Sequence, residues 1–264
     1  FNVYQKEARW WAEAGYEVAT EQLQLQDAVK PTYEIHATGG LSFTENGDEI
    51  KISGNTFEAL FSKKEGTLVS YISNDRQLIS SPLALNLFRL PTENDVAQSG
   101  GWDEIGIREL TVDAGSWDVN VSDAGSYADL QITNRYNAKG SNIYRVDFAF
   151  KVLSDGTIFV NTFFEPKLKM SVLPRIGYRL EMPENFEQLT WFGRGPWESY
   201  ADRKEAALEG VYNSTVTDQW ERYVLPQETG NKEDVRWMSI TADDGVGLLF
   251  VAPERMSASA THYC

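Results

Sequence analysis

Three stretches of this chain concentrate glycine, proline, aromatic and charged residues, the mixture that builds rigid functional loops. In residues 88–106, FRLPTENDVAQSGGWDEIG, Asn94, Asp95, Asp103 and Glu104 offer oxygen ligands, Gly100-Gly101 supplies flexibility, and Trp102 offers a flat surface for the C–H face of a sugar ring. The competing reading is a surface loop with a packed tryptophan. In residues 190–203, TWFGRGPWESYADR, Gly193, Gly195 and Pro196 predict a sharp turn between a strand and a charged aromatic loop. Glu198, Asp202 and Arg203 there could hold sugar hydroxyls through charge-assisted hydrogen bonds while Trp197 or Tyr200 stacks, or Asp202 and Arg203 could pair with other loops to fix the fold. In residues 223–237, YVLPQETGNKEDVRW, Pro226 and Gly230 bracket Gln227, Glu228 and Thr229 ahead of a strand.

A glycosidase needs two carboxyl groups roughly 5–10 Å apart across the scissile bond, one of them kept protonated by its surroundings. Glu198 and Glu228 can be nominated, but with 39 acidic residues in the chain such a pairing is available by chance. No P-loop, GxSxG, HExxH or EF-hand pattern is present. His36 and His262 stand far apart and read as solvated or core-edge rings, and Cys264 is a lone thiol, so neither a His/Cys metal cluster nor an internal disulfide is expected.

The elements that must position these segments are strands. At 264 residues, 42% of them hydrophobic and 12% aromatic, the chain can bury a substantial core. From about residue 40 it reads as short strands between turns, with little at helical spacing. Residues 49–61 predict a hairpin turning at Gly54-Asn55, a pair that tolerates positive φ, and a second turn falls at Asn74-Asp75. Val146, Phe148, Phe150 and Val152 alternate with polar neighbours as in a half-buried antiparallel strand, which passes through Ser154-Asp155-Gly156 into a partner at 158–164. Further strands are predicted at 66–72, 83–89, 108–121, 126–136, 171–181, 187–193, 235–241 and 247–251. Their number and spacing predict a large antiparallel sandwich and no βαβ units.

A formal net charge of −15 would repel nucleic acid and anionic membrane surfaces, which bind clustered cations. No apolar run approaches the roughly 20 residues that cross a bilayer, and FNVYQKEARWW lacks the layout of a secretory signal. The chain is therefore expected to be soluble, with the compartment, cytoplasmic or periplasmic, left open.

WFGRGPWESYADR followed by YVLPQETGNKEDVRW resembles the paired motifs of the small-chain, C-terminal region of glycoside hydrolase family 2 β-galactosidases, W-x-G-x-G-P-x-E-x-Y-x-D-R and then Y-x-x-P-x-E-x-G-x-x-x-x-x-R. FRLPTENDVAQ is similar to that family's R-A-P-x-D-N-D-x-G loop, which lies at the active-site rim and moves on ligand binding. Arg89, Pro91, Asn94 and Asp95 match. Leu90, Glu93 and Ala97 depart, and Ala97, where the family often has glycine, narrows the backbone conformations open to the loop. WWAEAGYEVATEQLQL resembles the end of the immunoglobulin-like domain that precedes the small-chain domain.

The resemblance implies an all-β, galactose mutarotase-like β-supersandwich over 41–264, incomplete at its C-terminus, after a linker at 31–40 and an immunoglobulin-like remnant at 1–30. It implies a non-catalytic region. The catalytic glutamates would sit in a TIM-barrel domain elsewhere, as would the Mg, Na or other metals common in the family, so no catalytic residue, metal ligand or cofactor is expected in this segment. Arg89, Asn94, Asp95, Trp102, Trp197, Glu198, Tyr200, Asp202, Arg203 and Glu228 are then candidates for the active-site rim or for carbohydrate binding. The implied partners are the barrel, a β-galactoside and further copies of a homo-oligomeric parent. A stand-alone sugar-binding module using Trp102, Trp197 and Tyr200 is the alternative. A mutarotase-type epimerase ranks third, since it would want His beside Glu in a cleft.

Overall fold

The computed structural model describes residues 1–26, 40–167 and 172–263. Residues 31–39 of the expected linker, His36 and Cys264 lie outside them. The chain opens with β1 (Asn2–Tyr4) and β2 (Glu17–Thr20), which pair with each other. A five-stranded meander follows: β3 (Ser42–Asn46), β4 (Glu49–Ser53), β5 (Phe57–Ser62), β6 (Thr67–Ser73) and β7 (Arg76–Ile79). After β8 (Ala84–Asn86), a 3-10 turn at Glu93–Asp95 and helix α1 (Val96–Ile105) comes a second meander. It consists of β9 (Thr111–Val121), β10 (Tyr127–Ala138), β11 (Ser141–Leu153) and β12 (Ile158–Pro166), in sheet order β12-β11-β10-β9. The short β13 (Gly177–Arg179) pairs with β8. A last sheet orders β14 (Gln188–Gly195), β15 (Leu208–Thr215), β16 (Lys232–Thr241) and β17 (Gly247–Ala258) as β15-β14-β16-β17. The pairings among the described residues are antiparallel, as the alternation predicts.

The chain divides into two compact units, one of Phe1–Tyr33, Asn185–Arg222 and Thr229–Cys264, the other of Glu34–Glu184 and Tyr223–Glu228. In the second, Val146, Phe148, Phe150 and Val152 of β11 are buried together, and Phe61 of β5 meets Phe150 edge-on at 5.2 Å between ring centroids. The two meanders thus close on one core, where each large side chain contributes about 1.5–3 kcal/mol by leaving water. In the first unit one face of the last sheet buries Leu189, Trp191, Val235 and Met238 together with Val216 and Ala260. The edge strand β15 is covered at one point by the segment after β2. There the Gln22 side chain donates to Glu209 O at 2.8 Å and accepts from Glu209 N at 2.6 Å, pairing backbone groups that an edge would leave open.

Several expectations change. Residues 93–105 are helical: Thr92 donates from N and Oγ1 to Asp95 Oδ2, both at 2.8 Å, closing a capping box, and the helix stops at Gly106 in the left-handed region at φ 81°. Gly100-Gly101 therefore sits inside a helix, which burial of Trp102 offsets. Gly54 does not adopt positive φ. A Cβ there would lie 2.9 Å from Ser154 O, so close approach is what requires glycine, whereas Asn74 and Asp75 do turn at φ 48° and 62°. The strand expected at 83–89 contracts to β8, the one at 108–121 begins at Thr111, and the one at 171–181 contracts to β13 among the described residues. β15 went unforeseen because it carries no clean alternation. Among the described residues no helix is long and apolar enough to cross a membrane.

Candidate functional site

The strand β14 carries the first motif, and its glycines serve packing. A Cβ on Gly193 would come 2.9 Å from Val235 Cα, and one on Gly195 would come 2.6 Å from Tyr212 Cδ2, so the strands meet where only hydrogen fits. Arg194, between them, donates from Nε to Asp234 Oδ2 at 2.6 Å and from Nη1 to the carbonyls of Lys204 and Ala207 at 3.0 Å. Asp234 holds φ 54°, unusual for a residue with a Cβ, at a bulge of β16. Burial pushes its carboxyl up, but hydrogen bonds from Arg194 and Lys204 outweigh this and hold it below the ordinary aspartate range.

Beyond Pro196 the loop folds onto the end of the second motif. Glu198, its side chain 7% exposed, accepts from Arg203 Nη2 at 2.6 Å, from Gly230 N at 2.9 Å and from Tyr200 OH at 3.4 Å. Ser199 N donates to Asn231 O, and Asn231 Nδ2 to Ser199 O, both at 2.8 Å. Glu233 N donates to Ser199 Oγ at 3.0 Å. Residues 198–199 and 230–233 are therefore laced together. Arg203 also stands over the buried Tyr200 ring, 5.1 Å from its centroid. Asp202 is exposed, and Trp197 is 61% exposed.

Within the other unit a second group gathers. Arg89 pairs with Asp95 at 3.0 Å and donates from Nε to Pro174 O at 3.4 Å. Glu228 accepts from Leu90 N at 3.2 Å and from Arg175 Nη2 at 2.5 Å. Asn94 is exposed on the 3-10 turn. Trp102, expected as a stacking surface, is 2% exposed and donates from Nε1 to Val172 O at 2.9 Å, so it offers no open face here.

Of the residues singled out in the sequence, Trp197, Glu198, Tyr200, Asp202 and Arg203 thus fall in one unit, and Arg89, Asn94, Asp95, Trp102 and Glu228 in the other. The second motif is divided between them after Glu228. Sequence reasoning missed Arg175, Asp234 and the buried Lys232. None of the three carries a local signal: Lys232 stands three residues before the core Val235, an odd spacing that strand alternation assigns to the opposite face. Among the described residues no group of three or more His, Cys, Asp and Glu side chains is placed to hold a metal.

Over residues 53–264 the chain matches the family described as the β-galactosidase small chain. It is 31% identical over 254 residues to a β-galactosidase of Priestia megaterium, covering 96% of this chain and 24% of that protein. It is 30% identical over 243 residues to β-galactosidase BgaC of Bifidobacterium adolescentis, covering 90% and 23%, and 29% identical over 252 residues to a β-galactosidase of Halalkalibacterium halodurans, covering 92% and 24%. The chain spans about a quarter of the length of these relatives.

Proposed function

The chain belongs to the β-galactosidase small-chain family, and from that premise we propose that it is the non-catalytic C-terminal region of a glycoside hydrolase family 2 β-galactosidase. A separate barrel would hydrolyse terminal β-D-galactosyl residues, while this region would shape the rim of the sugar site and hold interdomain and oligomer contacts.

The observation that carries this reading is the state of the nominated acids. Glu198 and Glu228 each spend their oxygens on an arginine and a backbone N–H. Both act as ties between loops, with each of their oxygens held by a donor of the protein itself. In the same reading Arg89, Asn94 and Asp95 supply the rim, their loop anchored through Leu90 to Glu228. Residues 1–30 would close a preceding immunoglobulin-like domain. The exposure of Phe1, Tyr4, Trp10 and Val18 in and around the β1–β2 hairpin supports this, because a neighbouring sheet would bury them.

Extending the chain upstream in its own reading frame until a barrel is included should confer hydrolysis of a nitrophenyl β-galactoside. An extended, folded polypeptide with no such turnover would contradict the proposal.

A further inference from the structure

The unit built on β14–β17 contains a pocket of about 200 Å³ whose lining includes Trp197, Glu198, Asp218, Glu221 and Lys232. Lys232 is 2% exposed, its Nζ lies 4.9 Å from the centroid of the Trp191 ring, and among the described residues that Nζ makes no hydrogen bond or ion pair. An ammonium carries three donors and costs free energy when taken from water without acceptors. Burial pulls its pKa down to about 8, and the charges of Glu198 and Glu221 act against that, so the donor form prevails at neutral pH. The Trp191 ring face and the charges of Glu198 and Glu221 offset part of that cost from a distance, while the three N–H donors stay open to the pocket that Lys232 lines.

The charges around it select the ligand. An anion attracted by Lys232 would face Asp218, Glu221 and Glu198, and a cation attracted by those carboxylates would face Lys232. A neutral polyhydroxyl ring uses both signs, since each hydroxyl accepts from one group and donates to another. Trp197 at the mouth offers the ring's C–H face a platform. The volume lies below the roughly 300–1,000 Å³ of sites for drug-sized ligands, which suits a single ring.

We infer that this pocket is a monosaccharide subsite, with Lys232 Nζ donating to the hydroxyls of a neutral pyranose, Asp218 and Glu221 accepting from them, and Trp197 stacking on the ring. The subsite is formed within one unit and needs no barrel, so it stands or falls independently of the function proposed above.

The test uses the 264-residue chain as it is. Methyl β-D-galactopyranoside, methyl α-D-glucopyranoside and inorganic phosphate are titrated in turn, followed by tryptophan fluorescence and by amide and indole shifts. A saturable response to at least one sugar is expected, moving the Trp197 indole, with affinity weakened about ten-fold or more in both Lys232→Met and Trp197→Ala. Methionine keeps the buried volume without the donors, and Trp197 is exposed, so both variants should retain the parent spectrum. No saturation with either sugar up to high millimolar concentration would overturn the inference, as would sugar binding that neither variant weakens. Lys232-dependent binding of phosphate without binding of sugar would overturn it too.

Discussion

Gly230 donates its backbone N–H to the buried carboxylate of Glu198, 32 residues earlier in the chain, at 2.9 Å. The same carboxylate takes Arg203 at 2.6 Å, so one acid ties a loop to a strand entrance and to its own turn. Glu198→Ala leaves the buried Gly230 N–H without its acceptor and should cost about 2 kcal/mol. Arg203 is largely exposed, and Arg203→Ala should cost under about 1 kcal/mol. Urea unfolding with an unchanged slope would measure both. Equal costs, or no cost for Glu198→Ala, would contradict the tie.

Lys232 gives the fold a particular pH dependence. Below about pH 8 the residue is protonated in folded and unfolded chains alike, and the cost of burying its charge is fully present. Between about 8 and the ordinary 10.5 the unfolded chain binds more protons, so stability should rise with pH, by at most about 3 kcal/mol. Tyr71 and Tyr136, whose phenols burial raises to about 12, lose stability above pH 10 and oppose the trend there. Chemical denaturation between pH 8 and 10 should therefore show the rise in the parent chain and its absence in Lys232→Met.

Gly193→Ala should destabilise by about 1–3 kcal/mol, since its methyl would meet the backbone of β16 at 2.9 Å. Gly100→Ala, in α1 with open space around it, should be neutral or stabilising by up to about 1 kcal/mol. Thermal or urea midpoints of the two variants should move in opposite directions or differ by at least the first amount.

Glu228→Ala should release the loop that begins at Arg89 more than it lowers global stability. The Leu90 amide loses its acceptor, and its hydrogen exchange should quicken roughly five-fold. Exchange at Phe148 and Phe150, deep in the meander core, should stay as it was. Uniform acceleration across the unit would mean that Glu228 supports the whole fold and not this loop.

Much of this was readable in advance, and the exceptions have causes. The face Val146, Phe148, Phe150 and Val152 showed itself because a strand buried on one side repeats every second residue. Asn74-Asp75 announced its turn because those side chains tolerate positive φ. Helix α1 was hidden by Gly100-Gly101, which local propensity assigns to a loop and which the burial of Trp102 overrules. Lys232 was hidden because β16 bulges between Lys232 and Trp237, shifting the period from two and placing a lysine among core positions. The bond from Gly230 to Glu198 is a long-range backbone contact, and no local pattern encodes it. The paired motifs marked where the ties lie, while their roles as ties needed the geometry.

Turnover of a nitrophenyl β-galactoside by the purified 264-residue chain, beside its Glu198→Gln and Glu228→Gln variants, tests most directly whether these acids hold loops together or cleave sugars. No hydrolysis above the buffer rate is expected for any of the three proteins, with the substitutions read out in stability and amide exchange instead. Hydrolysis by the parent chain that either substitution abolishes, with the variant still folded, would contradict the role of these acids as ties.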